Sequence, residues 1–218
     1  MAKKAVIIAT DFGVEEPEII SPRDALSSAG IDVTIASNSG NDIQTVTGDK
    51  DWASTVKADT TLDKISADDY DLVVLPGGTV NADTLRIDTE AQRILKEFAS
   101  AHKPVGAICH APWALIDAGL TEGKTMTSYQ SIRTDLENAG AHWVDEEVFR
   151  CPGNDWVLIT SRNPHDLPTF TKALTDELSW RATTGIGPDT GHATTCLFWG
   201  SRILGVKCWG SAGHWRSW

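Results

Sequence analysis

The sequence is poor in three features: long apolar runs, closely spaced cysteines and positive charge. Within 218 residues, no apolar run approaches the roughly 18–20 residues that cross a bilayer, so we expect no membrane partner. The 4 cysteines include no Cys-x-x-Cys pair, which argues against a disulfide scaffold. Lys and Arg number 19 against 30 Asp and Glu, and the net charge of −11 opposes contact with a phosphate backbone. We therefore expect no nucleic-acid partner either.

The remaining composition is that of a soluble globular protein, with 41% hydrophobic and 22% charged residues. The apolar run at residues 5–9 is shorter than the roughly 7–15 residues of a secretory h-region, and Asp11 soon follows it. We interpret this run as a first strand and not as a signal peptide. We accordingly expect a cytoplasmic protein whose thiols stay reduced.

Residues 179–218 differ in composition from the rest of the chain. They hold Trp180, Trp199, Trp209, Trp215 and Trp218, but Asp189 is their one acidic residue. No period of 2 or 3.6 persists through this tail, and Gly and Thr interrupt each short apolar run. We predict a poorly packed or frame-shifted extension after a domain that covers residues 1–178. His192, Cys196, Cys208 and His214 match no compact zinc-finger spacing, so we expect no metal there.

Between residues 4 and 178, strand-like and helix-like segments alternate. Strands are predicted at 4–9, 31–36, 71–75 and 105–108, and a further pair at 144–150 and 156–161 around a turn. Helices are predicted at 17–29, 62–67, 89–101, 111–118, 131–139 and 166–178, with Pro22 bending or interrupting the first of them. Residues 38–57 are expected to form a hairpin or a covering loop. This alternation predicts an α/β sandwich around a mainly parallel sheet.

One segment, residues 105–112, carries the predicted chemistry. A buried strand ends at Cys109, and a helix is predicted to follow directly, with Pro112 suited to its first position. Gly106 and Ala111 are small enough to allow the sharp turn of a nucleophile elbow. A thiol at a helix N-terminus faces the positive end of the helix dipole, so we expect a lowered pKa for Cys109. Because His110 is adjacent, we interpret Cys109 as a nucleophile and not as a buried structural cysteine.

These residues resemble the PfpI family, the intracellular-protease and deglycase branch of the class I glutamine amidotransferase-like superfamily. The resemblance runs in order along residues 4–178 and stops at the tail. It implies a flavodoxin-like three-layer sandwich with a nucleophile elbow at Cys109. The motifs that carry it are Glu15-x-x-Glu18, Leu75-Pro76-Gly77-Gly78, Ala107-Ile108-Cys109-His110-Ala111-Pro112, Thr127-Ser128-Tyr129 and the segment 160–168.

The resemblance also implies roles for the residues around the thiol. Cys109 matches the reactive cysteine of the family, His110 its neighbouring histidine, and Glu18 the acid that hydrogen-bonds to the thiol. The backbone N–H groups of Gly78 and His110 would form an oxyanion hole. The remaining predicted pocket residues are Gly77, Glu15 and Trp113.

A further acid is implied by the protease-like members of the family. In those members, an acid that follows the Gly pair reaches the histidine of a partner subunit. Asp83 is the best match here, although the loop at residues 79–83 is one residue longer than the usual spacing. A homodimer or larger homo-oligomer is therefore expected, and neither a metal nor another cofactor is implied.

Three functions remain open at this point. The first is a cofactor-free enzyme acting on small carbonyls or glycated substrates, as a glutathione-independent glyoxalase or deglycase that protects against stress. The second is an intracellular cysteine peptidase, which would act on peptides with the same Cys–His pair and would need Asp83 to orient the imidazole. The third is a redox sensor or chaperone in which oxidation of Cys109 is the signal.

Overall fold

The computed structural model describes residues 2–184 of the chain. The central sheet has seven strands: β1 (Lys4–Ala9), β3 (Asp32–Ser37), β6 (Thr60–Thr61), β7 (Leu72–Leu75), β8 (Val105–Ile108), β11 (Val148–Cys151) and β12 (Leu158–Ser161). In space these strands follow the order β11-β12-β8-β7-β1-β3-β6. All neighbouring pairs are parallel except β11 with β12, which are antiparallel.

Helices cover both faces of this sheet. Alternate residues of β1 point to opposite faces, so Val6 and Ile8 join one buried cluster while Ala5 and Ile7 join the other. The first cluster packs under α2 (Thr79–Arg86), α3 (Thr89–Ser100), α4 (Trp113–Asp117) and α5 (Arg133–Asn138). The second packs under α1 (Glu16–Ser28) and α6 (Leu167–Thr184). The predicted three-layer α/β sandwich is confirmed.

Two small sheets lie beside the central one. β4 (Ile43–Thr47) and β5 (Asp51–Val56) form an antiparallel hairpin, and β2 (Phe12–Glu15) pairs parallel to β4. The hairpin alternative for residues 38–57 is therefore the correct one, whereas β2 was not predicted, because four residues that include a glycine are too few to establish a strand period. The other small sheet joins β9 (Thr125–Met126) to β10 (His142–Trp143).

Two local predictions differ from the structure. Residues 62–69 contain two 3-10 turns separated by extended backbone at Ile65 and Ser66, whereas one helix was predicted over 62–67. Residues 79–83 are the start of α2 and not a loop, and the buried Asn81 in this first turn accepts a hydrogen bond from the N–H of Thr10. α1 continues past Pro22 to Ser28; because Pro22 has no N–H, one helical hydrogen bond is absent there, whereas the predicted bend stays a prediction.

The end of the described chain bears on the predicted domain boundary. α6 continues to Thr184, so the backbone of residues 179–184 extends the helix past the predicted boundary at residue 178. Residues 185–218 lie outside the described residues. The predictions about this segment, and about the four His and Cys residues within it, therefore stay predictions. Among residues 2–184, no helix is long and apolar enough to cross a membrane.

Candidate active site

Cys109 lies on a strained turn directly after β8. Its φ is +63°, a left-handed conformation that residues other than glycine seldom adopt. Two backbone bonds hold it there: its N–H donates to the carbonyl of Ser161 at 3.0 Å, and its carbonyl accepts from the N–H of Tyr129 at 2.9 Å. The side chain is 5% exposed. The predicted elbow is therefore present at the carboxyl edge of the sheet.

His110 bridges the thiol and a hydroxyl group. Its Nδ1 lies 3.2 Å from Cys109 Sγ, and its Nε2 lies 3.1 Å from Ser131 Oγ. The ring stacks on Tyr129 with centroids 4.7 Å apart, and Trp113 lies at a tilt 5.5 Å away. Burial lowers the pKa of His110, so the imidazole is neutral at neutral pH. A proton on Nε2 that is donated to Ser131 leaves Nδ1 free to accept one from the thiol.

Glu18 is completely buried under the thiol. Its Oε2 accepts a hydrogen bond from the N–H of Gly77 at 2.8 Å, and its carboxyl group interacts with the side chain of Cys109. Burial raises the pKa of Glu18 to about 8, and the negative charge of Glu15 adds to this effect. At neutral pH, Glu18 is therefore a neutral acid able to donate a hydrogen bond.

The pKa of Cys109 departs from the prediction. Burial raises the pKa of this thiol, and an ionised Glu18 raises it further, whereas the backbone N–H groups of Gly78 and His110 act in the opposite direction. The predicted lowering by a helix dipole is wrong, because α4 begins only at Trp113 and has five residues. Cys109 is thus a thiol at rest, and its attack on a carbonyl needs a base.

The Gly77–Gly78 pair closes the site from the neighbouring strand. A Cβ on Gly77 would lie 2.5 Å from Glu18 Oε2 and 2.7 Å from Cys109 Cβ, so no other residue fits there. Gly78 has a φ of +90°, and its N–H group interacts with Cys109 Sγ, as does that of His110. These are the two donors that the sequence predicts for an oxyanion hole.

Glu15 holds the turn that lies beside the site, and its predicted place in the pocket stays a prediction. Its carboxylate accepts from the N–H groups of Gly48 at 2.9 Å and Asp49 at 3.2 Å, in the turn between β4 and β5. Asp49 in turn accepts from the N–H of Thr79 at 2.6 Å and from its hydroxyl at 2.9 Å. Asp49 therefore caps α2 next to Gly78. The sequence analysis missed it, because a Gly-Asp pair in a turn indicates only the turn.

Two other predicted residues stand at the edge of the site. The Trp113 indole N–H donates to Asp135 at 2.8 Å, and the guanidinium of Arg86 lies 5.2 Å from its ring. Trp113 thus packs beside His110 while its polar edge is already bonded. Asp83 is exposed on α2, and its contact with the histidine of a partner subunit stays a prediction. Within the chain, the hydroxyl group that lies against the imidazole is that of Ser131, a residue for which no role was predicted.

A cleft of about 510 Å³ opens beside Ser131. Three chain segments form it, and the sequence analysis singled out none of its residues as a site. Its lining residues are Ser128, Tyr129, Gln130, Ser131, Trp143, Asp145, Arg162 and Asn163.

Several proteins from other organisms are similar to this chain in amino-acid sequence. General stress protein 18 of Bacillus subtilis is 38% identical over 172 residues, which cover 79% of this chain and 95% of that protein. "Protein/nucleic acid deglycase 2" of Escherichia coli is 38% identical over 173 residues, with coverage of 79% and 95%. A deglycase of Pyrococcus horikoshii is 40% identical over 162 residues, with coverage of 74% and 92%.

Solved structures of other proteins have a fold similar to that of this chain. The crystal structure of Drosophila melanogaster DJ-1beta matches with a TM-score of 0.73 and 33% identity, covering 82% of this chain and 91% of that one. A two-domain protein of Anabaena variabilis, with dj-1/thij/pfpi-like and ferritin-like domains, matches with a TM-score of 0.73 and 32% identity; the match covers 87% of this chain and 52% of that one. Residues 3–177 match the DJ-1/PfpI family. The chain belongs to the DJ-1/PfpI family.

Proposed function

We propose that this chain is a cysteine-dependent enzyme that acts on reactive carbonyls, as a glutathione-independent glyoxalase or a deglycase. The observation that carries the proposal is the position of Cys109 Sγ, 3.2 Å from His110 Nδ1 and beside the N–H groups of Gly78 and His110. The nucleophilic sulfur thus has a base beside it, together with two backbone N–H groups that can hold an anion. The deglycase names of the two relatives support the same chemistry.

The first step is addition of the thiol to an aldehyde. Cys109 Sγ forms a bond to the aldehyde carbon as His110 Nδ1 takes the thiol proton, and the carbonyl oxygen becomes an oxyanion held by the two N–H groups. Return of the proton from His110 to this oxygen gives a neutral hemithioacetal. The lowered pKa of His110 favours the second transfer, because the imidazolium that forms is a ready acid, whereas the first transfer is driven by formation of the carbon–sulfur bond.

The later steps balance without a cofactor. For methylglyoxal, the hydrogen on C1 leaves as a proton and a proton is delivered to C2 through an enediol, so C1 is oxidised as C2 is reduced. The product is a thioester of lactate, which water cleaves to lactate and the free thiol. Because Glu18 is protonated at neutral pH, His110 is the group that can take the proton from C1, and Glu18 is the acid that can deliver a proton to C2.

The proposed substrate class is wider than the net charge suggested. The expectation that nucleic acid is no partner conflicts with the name of the E. coli relative, which includes nucleic acid. Net charge opposes contact with phosphates, but it does not oppose chemistry on an adduct carried by a base. We therefore propose small carbonyls and glycated macromolecules as the substrate class.

The test is D-lactate formation from methylglyoxal in the absence of glutathione. We expect turnover by the full chain and its loss, by at least about 10³-fold, in Cys109→Ser. Cys151→Ser is the matched control, because Cys151 is the other buried free cysteine of the described residues. No turnover by reduced, folded wild-type protein would overturn the proposal, and so would equal losses in the two variants.

Two further assays on the same proteins separate the alternatives. Release of a fluorophore from peptide substrates without lactate formation would indicate the peptidase, since thiol, imidazole and oxyanion donors also suit acyl transfer. Absence of both activities, together with oxidation of Cys109 by dilute peroxide, would indicate the sensor. A cytoplasmic location and a homo-oligomer remain part of the proposal.

A further inference from the structure

The cleft beside Ser131 is close to His110, the residue that we propose as the catalytic base. Ser131 Oγ lies 3.1 Å from His110 Nε2, and Tyr129, which stacks on the same imidazole, forms the adjoining wall. The volume of about 510 Å³ falls in the range of about 300–1,000 Å³ that encloses ligands of many heavy atoms. A three-carbon dicarbonyl would leave most of it empty. The cleft therefore fits the larger body to which a carbonyl adduct is attached.

The walls of the cleft are fixed by bonds of their own. The indole N–H of Trp143 donates to Ser128 Oγ at 3.0 Å, and the guanidinium of Arg133 lies 4.9 Å from the ring of Trp143. Arg162 donates twice to the buried Asp166, at 2.8 and 3.0 Å. The cleft thus exists before any ligand binds, which reduces the ordering that binding requires.

The charge of the cleft is negative. The second partner of Arg162 is Asp145, whose side chain is 69% exposed and lies 2.8 Å from the guanidinium. Asp166 alone already neutralises Arg162, and Glu137 neutralises Arg133 at 2.9 Å. Asp145 is therefore the carboxylate in excess. The chain as a whole has a charge of −11, which adds a long-range attraction for cations.

We propose that this cleft binds the polypeptide that carries the carbonyl adduct, and that Asp145 selects cationic residues flanking the adduct. The proposal rests on the carbonyl chemistry of the preceding subsection and adds its substrate class. Tyr129 and Trp143 offer flat surfaces to the chain, and Asp145 offers the charge. A nucleic acid would instead bring its phosphates to a cluster in which two carboxylates, Asp145 and Asp166, share the single cation Arg162.

Two matched peptides test the selection by Asp145. Both are N-acetylated and carry one cysteine as its methylglyoxal hemithioacetal; one has trimethyl-lysine on each side and the other has glutamate. Trimethyl-lysine keeps the positive charge and cannot itself react with the carbonyl. The rate is followed as free thiol released by the full-length protein at low ionic strength.

We expect wild-type kcat/KM to be about threefold higher for the cationic peptide, which is the size of effect that an exposed ion pair allows. This preference should decrease in 0.5 M salt, because the Debye screening length falls to about 4 Å. Asp145→Lys should shift the ratio about tenfold toward the glutamate peptide. Glu146→Lys is the control, because it changes the net charge equally at an exposed position that does not line the cleft. Equal ratios in the two variants would overturn the proposal.

A binding measurement separates this proposal from the chemistry on which it rests. Cys109→Ser is titrated with the unmodified peptides and with a short single-stranded DNA, and affinity is read by calorimetry. Stronger binding of the cationic peptide that Asp145→Lys removes supports the cleft, even if no enzymatic turnover is found. Stronger binding of the DNA, or equal binding of both peptides, would overturn it.

Discussion

At the scale of single residues, Glu18 retains its proton because folding removes the carboxyl group from water. Its pKa is about 8 in the folded chain against an ordinary value of 4.5. Between these pH values the folded state holds a proton that the unfolded state has lost, so the free energy of unfolding falls as pH rises. The site therefore has an acid at its centre that costs of the order of a few kcal/mol of stability at alkaline pH.

Glu18→Gln tests this linkage. The amide resembles the neutral acid but cannot ionise, so we expect the Tm of the variant to exceed that of the wild type increasingly from pH 5 to pH 8. We expect kcat to fall by about 10²–10⁴-fold, because the amide cannot transfer a proton. Thermal unfolding at several pH values, with Glu146→Gln as the exposed control, provides the measurement. Parallel curves for Glu18→Gln and the wild type would contradict the assignment.

At the scale of elements, the oxyanion donor on Gly78 depends on the hairpin of β4 and β5. Glu15 at the end of β2 holds the hairpin turn, and Asp49 in that turn caps the first N–H of α2. Gly78 directly precedes this helix. A contact between two small elements therefore sets the position of a backbone N–H in the site.

Asp49→Ala should consequently lower both stability and activity. Asp88→Ala is the matched control, because Asp88 caps α3 by accepting from the N–H groups of Glu90 and Ala91. We expect each variant to lose about 0.5–2 kcal/mol in urea denaturation. Only Asp49→Ala should also lose kcat, by about 10–100-fold, because a displaced donor no longer faces the oxyanion. A similar kcat in the two variants would argue against this connection.

At the scale of the whole molecule, the question is whether one chain completes the site. Ser131 already occupies Nε2 of His110 within the chain, the position that the resemblance assigns to an acid of a partner subunit. A hydroxyl group orients the imidazole but adds no negative charge, which agrees with the lowered pKa of His110. One possibility is therefore a site that functions without Asp83, and the other is a site to which a partner subunit adds this acid.

Ser131→Ala and Asp83→Asn separate the two possibilities. We expect Ser131→Ala to lower kcat/KM about tenfold, because a hydrogen bond that fixes the tautomer is lost, and Asp83→Asn to have a smaller effect. The measurement is kcat/KM at enzyme concentrations from nanomolar to micromolar. A larger loss in Asp83→Asn, with activity that falls on dilution, would instead indicate an acid supplied by a partner subunit.

The sequence by itself determined the features that depend on neighbours along the chain. The apolar runs predicted the buried strands, and the short segment from Val105 to Pro112 placed Cys109 on a turn next to His110, because backbone conformation there depends on a few successive residues. The Gly77–Gly78 pair was also predicted, because it follows a predicted strand directly along the chain. The three-layer arrangement followed, since strands and helices that alternate can bury both faces of a parallel sheet in few ways.

The tertiary structure alone decided which distant residues meet and how deeply they are buried. Ser131, Asp49 and Asp145 reach the site or its cleft from turns and short segments whose residue types indicate nothing beyond a turn or a surface. The pKa of Cys109 is raised, and not lowered, because desolvation depends on every atom packed around the sulfur, whereas the sequence reports only the helix that follows. Burial and long-range contact are properties of the packed chain, and no local pattern contains them.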